Sequence, residues 1–259
     1  MGEFFQYGET AEEAERLGLP CGGHLNIVVE PLTPTDEYKT HFAHVRQRVD
    51  NRQCVRRTVE LKKRTFSSID VDAHEPFDFD RDCEILIHTY GPRHQLFIIG
   101  SGMVSAYVAE MALGLDYQIT VCDPRAELLK DFPVSGVTTI NDYPDDAIRD
   151  HANDPMTAII ALTHDPRIDD MGMMEALKTN AFYIGAMGST RTSASRRERL
   201  RALDVTDEEI NKLHAPIGLP IGSKTPPEIA IAILAEITAV RQGLSAEVHA
   251  QLDSITAVA

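Results

Sequence analysis

Cysteine is scarce in this sequence: four in 259 residues, at Cys21, Cys54, Cys83 and Cys122. Their spacings of 33, 29 and 39 residues contain no C-x-x-C pair, so the common zinc and thioredoxin signatures are absent. In a reducing compartment all four are expected as free thiols. Basic charge is also short. Lys and Arg number 25 against 40 Asp and Glu, a formal net charge of −15 with a pI near 5.0. Such a chain lacks the basic surface that grips nucleic-acid phosphates. Long apolar runs are missing too. The longest, from Ile229 to Ala235, is seven residues, whereas a membrane-spanning helix needs roughly 20. The N-terminus is acidic and has no basic-then-apolar leader pattern, so the cytoplasm is the expected compartment.

What is present fits a folded protein. Apolar residues make up 43% and charged residues 25%, the balance of an ordinary globular chain. No internal repeat or low-complexity tract is visible. The turn-forming stretch Tyr90-Gly91-Pro92-Arg93 divides the chain into an expected smaller α+β domain, residues 1–90, and a second domain, residues 91–259.

In the first domain, residues 25–30, 55–61 and 83–88 read as strands, and Thr35-Asp36-Glu37 opens a polar helix to position 51. An antiparallel sheet is expected there. In the second, strand-like runs at 95–99, 118–122, 137–140, 157–162 and 182–186 alternate with helices near 102–114, 125–131, 143–152, 169–179 and 190–202. That alternation predicts an α/β fold, a Rossmann-like doubly wound parallel sheet. Thr206 to Glu209 and Thr225 to Glu228 are capping boxes, the second with Pro226 at the first helical position. The last helix is apolar almost all round to Val240, so it is predicted to be buried.

The sharpest local signal is Gly100-Ser101-Gly102, which follows a strand and opens a helix. The first glycine permits a tight turn, and the second lets backbone approach a phosphate at the helix N-terminus. Ser105 stands where the third glycine is usual. Asp123 ends the next strand, where a carboxylate commonly holds ribose hydroxyls. The plainer reading is a Rossmann scaffold with an unused pocket. Arg125 either reaches a phosphate or is a solvated residue of the next helix.

Cys21-Gly22-Gly23 puts a thiol on flexible backbone, either as a soft metal ligand or sulfur acceptor or as a small residue in a turn. Cys83 and Cys122 lie in apolar strand patterns and read as core thiols. Cys54 lies among Arg52, Arg56 and Arg57, either a setting that lowers a thiol pKa or an incidental neighbourhood, the plainer reading. His164 and Asp165 stand at a strand's C-terminal end, where ligands of such sheets bind, as a general acid–base pair or as simple caps. Gly185, Gly188, Ser189 and Arg191 repeat that strand-end pattern, with Arg191 available to an anion. Arg196, Arg197, Arg199 and Arg201 read as a solvated helix face. His214, Gly218 and Gly222 lie in a Gly/Pro loop entering the helix capped by Thr225 and Glu228, whose free N–H groups favour an anion.

Taken together, Leu19-Pro20-Cys21-Gly22-Gly23, Glu30-Pro31-Leu32, Ile99 to Gly102, Val121 to Arg125, Ala161 to Asp165, Tyr183 to Ser189 and His214 to Ala230 resemble the xanthine dehydrogenase accessory protein (XdhC/CoxI) family. The resemblance implies an accessory protein rather than an enzyme. It would bind the molybdenum cofactor (molybdopterin or its cytosine dinucleotide form) as cargo and help a cysteine desulfurase add the sulfido ligand. It would then deliver the cofactor to a molybdenum hydroxylase of the xanthine dehydrogenase, aldehyde oxidase or carbon monoxide dehydrogenase type. It also implies a homodimer, with Cys21, Gly22 and Gly23 at the molybdenum and the strand-end glycines holding the pterin phosphate or dinucleotide. Two departures stand out. Family members usually carry a further upstream stretch with its own Gly-Gly-Cys, and many have His where this chain has Met103. An NAD(P)-dependent oxidoreductase and a nucleotide-sensing regulator are the competing readings of the same glycines. No Tyr-x-x-x-Lys pair accompanies them.

Overall fold

The computed structural model describes residues 3–8, 10–18, 24–71, 75 and 77–244. The chain divides into two compact units, Met1–Pro92 and Arg93–Ala259.

The first unit runs β1 (Glu3–Tyr7), α1 (Ala11–Arg16), β2 (Leu25–Val29), α2 (Asp36–Asp50), β3 (Cys54–Glu60), β4 (Thr65–Val71), β5 (Asp78–Asp80) and β6 (Ile85–Tyr90). β1 pairs with β2, and the others form an antiparallel sheet in the order β4-β3-β6-β5. α2 begins where Thr35 accepts the Tyr38 N–H at 3.3 Å. β6 starts two residues later than the pattern predicts. The Asp80 carboxylate accepts the N–H groups of Asp82 and Cys83, both at 2.9 Å, and holds them in a turn. Cys83 is therefore exposed, not a core thiol.

Val59, Leu61 and Leu86 form a small core in this unit. Beside it Arg57 is 1% exposed. It lies 5.2 and 5.5 Å from the Phe42 and Phe66 ring centroids, donates to Glu30 at 2.6 and 2.7 Å, and donates Nε–H to His41 Nε2 at 3.0 Å. Burial, with the Arg57 charge beside it, pushes the His41 pKa down.

The second unit runs β7 (Gln95–Ile99), α3 (Met103–Gly114), β8 (Gln118–Cys122), α4 (Ala126–Lys130), β9 (Thr138–Ile140), α5 (Pro144–His151), β10 (Thr157–Ala161), α6 (Pro166–Ala176), β11 (Tyr183–Ala186), α7 (Thr190–Ala202), α8 (Asp207–Ile210), β12 (Leu213–His214) and α9 (Pro226–Arg241). All neighbouring strands pair in parallel, in the order β12-β11-β10-β7-β8-β9. This is the doubly wound sheet the alternation predicts, with the order reversing between β7 and β10. Alternate residues of β7 face opposite layers. Leu96 and Ile98 join Val108 of α3 and Ile233 of α9, while Phe97 and Ile99 join Ile148 of α5, Met173 of α6 and Leu200 of α7. Cys122 is buried at the end of β8, and burial pushes its thiol pKa up to about 12.

α6 starts three residues before the predicted helix, because Asp165 accepts the Arg167 N–H at 3.0 Å and Pro166 supplies the first helical position. The edge strands are short, three residues in β9 and two in β12.

Candidate functional site at the sheet's C-terminal edge

Parallel strands leave the sheet on the same side. The loops after β7, β8, β10, β11 and β12 therefore gather Gly100 and Gly102, Asp123 and Arg125, His164 and Asp165, Gly188 to Arg191, and the segment from Ala215 at one edge. The crevice of such a sheet lies where the strand order reverses.

The two glycines there have different jobs. Gly100 has φ +102°, and a Cβ on it would lie 2.8 Å from Thr163 Cγ2 and 2.9 Å from Thr163 Cα. It lets the β7 loop touch the β10 loop. Gly102 has φ −81°, and a Cβ on it would meet nothing within 4 Å. It faces open space at the start of α3, where no side chain caps the helix and no acidic residue stands in the first turn. Free N–H groups and the helix dipole favour an anion at such a place. Alongside, Met103, Ala106, Tyr107, Glu110, Pro133 and Val134 line a groove of about 510 Å³.

Asp123 is fully buried. Its Oδ2 accepts the Ser101 N–H and hydroxyl, both at 3.0 Å, and Arg125 Nη2 at 2.8 Å. Its Oδ1 accepts the Arg125 N–H at 3.0 Å and Nε–H at 2.8 Å. Burial works to raise the Asp123 pKa, but the bonds from Arg125 and Ser101 outweigh it and hold the carboxyl below the usual range. Asp123 thus ties the β7 loop to the β8 loop, and the half-exposed Arg125 guanidinium is the group presented outward.

His164 is exposed with φ +63°, and Asp165 caps α6. Hydrogen bonds from Arg167 bring the Asp165 carboxyl down to about 2. Thr163 donates its N–H and hydroxyl to Asp169 Oδ1 at 3.1 and 2.7 Å. Asp169 Oδ2 and Asp170 Oδ1 accept from Arg196 at 3.1 and 2.8 Å, Arg196 also donates to the Met187 carbonyl at 3.0 Å, and Arg199 Nε–H donates to Asp170 at 2.5 Å. Arg196 is 1% exposed. The expectation of a solvated arginine face is therefore corrected. Asp169 and Asp170 on α6 supply the charge that lets Arg196 be buried, and Arg197 is half-buried on the Ile210 and Leu213 carbonyls, at 3.0 Å each. Arg201, exposed at the end of α7, pairs with Asp207 at 2.7 Å.

Ser189 caps α7 by accepting the Thr192 N–H at 3.1 Å. Gly188 packs against Thr192, while Gly185 sits inside β11, where a Cβ would meet Ile217 at 2.6 Å. Arg191 is exposed and makes no hydrogen bond or ion pair with the described residues. After β12, Gly218 has φ +93° against the α9 backbone, and Gly222 has φ +79° in open space. Glu228 accepts the Thr225 and Lys224 N–H groups at 2.8 and 2.9 Å, a capping role at the start of α9.

His214 faces a carboxylate that sequence reasoning missed. Glu236 is 2% exposed, and its Oε1 lies 3.1 Å from His214 Nδ1. One signal marks it: Glu236 is the single charged residue between Glu228 and Arg241 in an apolar helix, and a buried charge needs partners. Cys21, Gly22 and Gly23, including the expected metal contact of Cys21, lie outside the described residues. Among the described residues no group of three or more His, Cys, Asp or Glu is placed to hold a metal ion, and no helix is long and apolar enough to cross a membrane.

Known proteins share this sequence and fold. The chain is 23% identical to a protein of Bacillus subtilis described as a probable xanthine dehydrogenase subunit, over 87% of this chain and 72% of that one. It is 24% identical to the molybdenum cofactor insertion chaperone PaoD of Escherichia coli, over 91% of this chain and 65% of PaoD. It is 31% identical to the uncharacterized protein YqeB of Escherichia coli, over 61% of this chain and 29% of YqeB. The chain thus spans less than a third of YqeB and just under two thirds of PaoD. A solved xanthine dehydrogenase structure from Bacillus halodurans shares the fold with TM-score 0.69 and 21% identity, over 93% of this chain and 76% of that one. Residues 96–237, more than half of the chain, match the XdhC Rossmann domain, and the chain belongs to that family.

Proposed function

We propose that this protein binds the molybdenum cofactor at the C-terminal edge of its parallel sheet and acts as an insertion chaperone for a molybdenum hydroxylase of the xanthine dehydrogenase type. The observation that carries the reading is the open side of Gly102 at the uncapped start of α3. An anionic phosphate fits there, beside a groove whose volume is in the range of small-molecule sites.

The electrostatics support an anionic cargo despite the net charge of −15. The carboxylates at this edge are paired: Asp123 with Arg125, Asp165 with Arg167, and Asp169 and Asp170 with Arg196. Exposed Arg191 is left to meet a phosphate. The PaoD name, a molybdenum cofactor insertion chaperone, adds to this reading.

The finer assignments belong to the same proposal. Cys21 is the thiol that meets molybdenum or relays sulfur during sulfuration by a cysteine desulfurase. The two domains are the units Met1–Pro92 and Arg93–Ala259, and the second holds the phosphate. The protein works as a homodimer in the cytoplasm and has no turnover of its own. An NAD(P)-dependent enzyme is less well supported, because the Asp123 oxygens that would hold a ribose already accept from Ser101 and Arg125.

The test is retention of freshly released cofactor through desalting, read by pterin fluorescence after oxidation. Retention near one per chain is expected. Folded protein that retains none would overturn the proposal. Cys21→Ala is expected to keep its fold while losing activation of the partner enzyme.

A further inference from the structure

α9 buries one carboxylate, Glu236, in otherwise apolar surroundings. Its Oε2 accepts the Tyr183 hydroxyl at 2.6 Å and the Gly218 N–H at 2.7 Å, and its Oε1 lies 3.1 Å from His214 Nδ1. An amide N–H can only donate, and burial pushes the Tyr183 pKa well above its ordinary value, so the phenol keeps its proton. Burial works to raise the Glu236 pKa, but the bonds from His214, Tyr183 and Gly218 outweigh it and hold the carboxyl down at about 2. The carboxylate is therefore an acceptor at both oxygens, and His214 Nδ1 must carry the proton facing it.

That fixes the tautomer. In the neutral imidazole Nε2 is the bare acceptor. Nε2 has no hydrogen-bond partner among the described residues, and the side chain is 27% exposed. The ring is stacked on Tyr183 with centroids 4.5 Å apart, which fixes its plane. His214 ends β12, at the edge where the strand-end loops gather. Tying the 218 loop to α9 needs only the Oε2 bond to Gly218. The Oε1 contact to His214 goes beyond that task.

We propose that His214 Nε2 accepts a hydrogen bond from the amino-pyrimidine edge of the bound cargo, and that Glu236 is the positioning residue that fixes its tautomer. The inference rests on the cofactor-binding reading and deepens it by naming the group that reads the heterocycle. Two rings of the cargo carry an amino group on a pyrimidine: the pterin, and the cytosine of the dinucleotide form. Both present N–H to such an acceptor.

The experiment uses the full chain labelled with ¹⁵N-histidine, with His214 assigned by the signal lost in His214→Gln. In the free protein, titrated to the neutral ring, the His214 signals should show a protonated Nδ1 and a bare Nε2. Molybdopterin without nucleotide, or cytidine diphosphate, is then added. A shift of Nε2 with Nδ1 unmoved is expected, and the probe that causes it identifies the ring. His214→Gln should retain roughly tenfold less cofactor, the loss of one hydrogen bond. In Glu236→Gln the amide oxygen is still needed by the Gly218 N–H, so the amide N–H group faces His214 Nδ1; the tautomer should invert, with the proton on Nε2, and retention should weaken while His214 is still present. A bare Nδ1 in the wild type would overturn the proposal, as would an Nε2 unmoved by both probes while the wild type retains cofactor, or His214→Gln retaining as much as wild type. If Glu236→Gln does not fold, the wild-type spectra and His214→Gln still decide. Wild type retaining no cofactor overturns the cofactor-binding reading and this inference with it, an outcome seen in the retention assay before any histidine signal is consulted.

Discussion

Gly100 and Thr163 meet so closely that a methyl group on Gly100 would stand 2.8 Å from Thr163 Cγ2 and 2.9 Å from its Cα. One contact is a side chain and the other is backbone, so rotation of Thr163 alone does not relieve it. The φ of +102° adds strain for any residue with a Cβ. Gly100→Ala is expected to lower stability by ~2 kcal/mol or more. Urea unfolding checks this: the midpoint should fall with little change in slope. An unchanged midpoint would refute the close approach.

Gly102 should behave in the opposite way. A Cβ there meets nothing within 4 Å and the backbone is ordinary. Gly102→Ala is expected to leave stability within ~1 kcal/mol of wild type. It should nevertheless lose cofactor retention, because the methyl group occupies the space beside the free N–H groups. Full retention by a stable Gly102→Ala protein would move the phosphate elsewhere.

Arg196 joins the β10 loop, α6 and the β11 loop through Asp169, Asp170 and the Met187 carbonyl. Arg196→Met leaves buried carboxylates without their main counter-charge and should cost ~3–5 kcal/mol. The Thr163 N–H, which donates to Asp169 at 3.1 Å, should also exchange with solvent faster. Unaltered stability with unaltered exchange at Thr163 would show the network to be incidental.

Glu236 gives a pH signature. Its pKa lies at about 2 in the folded protein against an ordinary 4.5. A depressed carboxylate stabilises the fold fully above its unfolded pKa, and the contribution is lost as pH falls through the folded value. The titrating part of the stability is on the order of 3 kcal/mol. It should be complete at pH 6 and decline between pH 4.5 and pH 2. Comparing the wild type with Glu236→Gln across that window isolates it. Parallel stability curves for the two proteins would contradict the assignment.

The sheet of the second unit was legible because its strands are short apolar runs set off by turn residues. Residues 95–99 and 118–122 coincide with β7 and β8. β12 was not legible, since two residues carry no periodicity and only pairing with β11 makes them a strand. β4 was missed because Thr65–Val71 is mostly polar and belongs to the edge of its sheet. At the site, glycine spacing located the loops but not their internal bonds. Asp123 follows a ribose-binding spacing, yet which groups occupy its oxygens depends on where Ser101 and Arg125 fold. The roles of Arg196 and Glu236 depend on partners 26 and 22 residues away, respectively, which local pattern does not reveal.

The brevity of β9 and β12 has a consequence for self-association. An open parallel sheet normally ends in rows of unpaired N–H and C=O groups that can template a strand from another molecule. Here one rim is three residues long and the other two, too short for a stable added strand. Two copies meeting through this unit must therefore join by side-chain surfaces on helices and loops rather than by extending the sheet. Such a join leaves the crevice at the strand ends unclosed by a continuous β-structure.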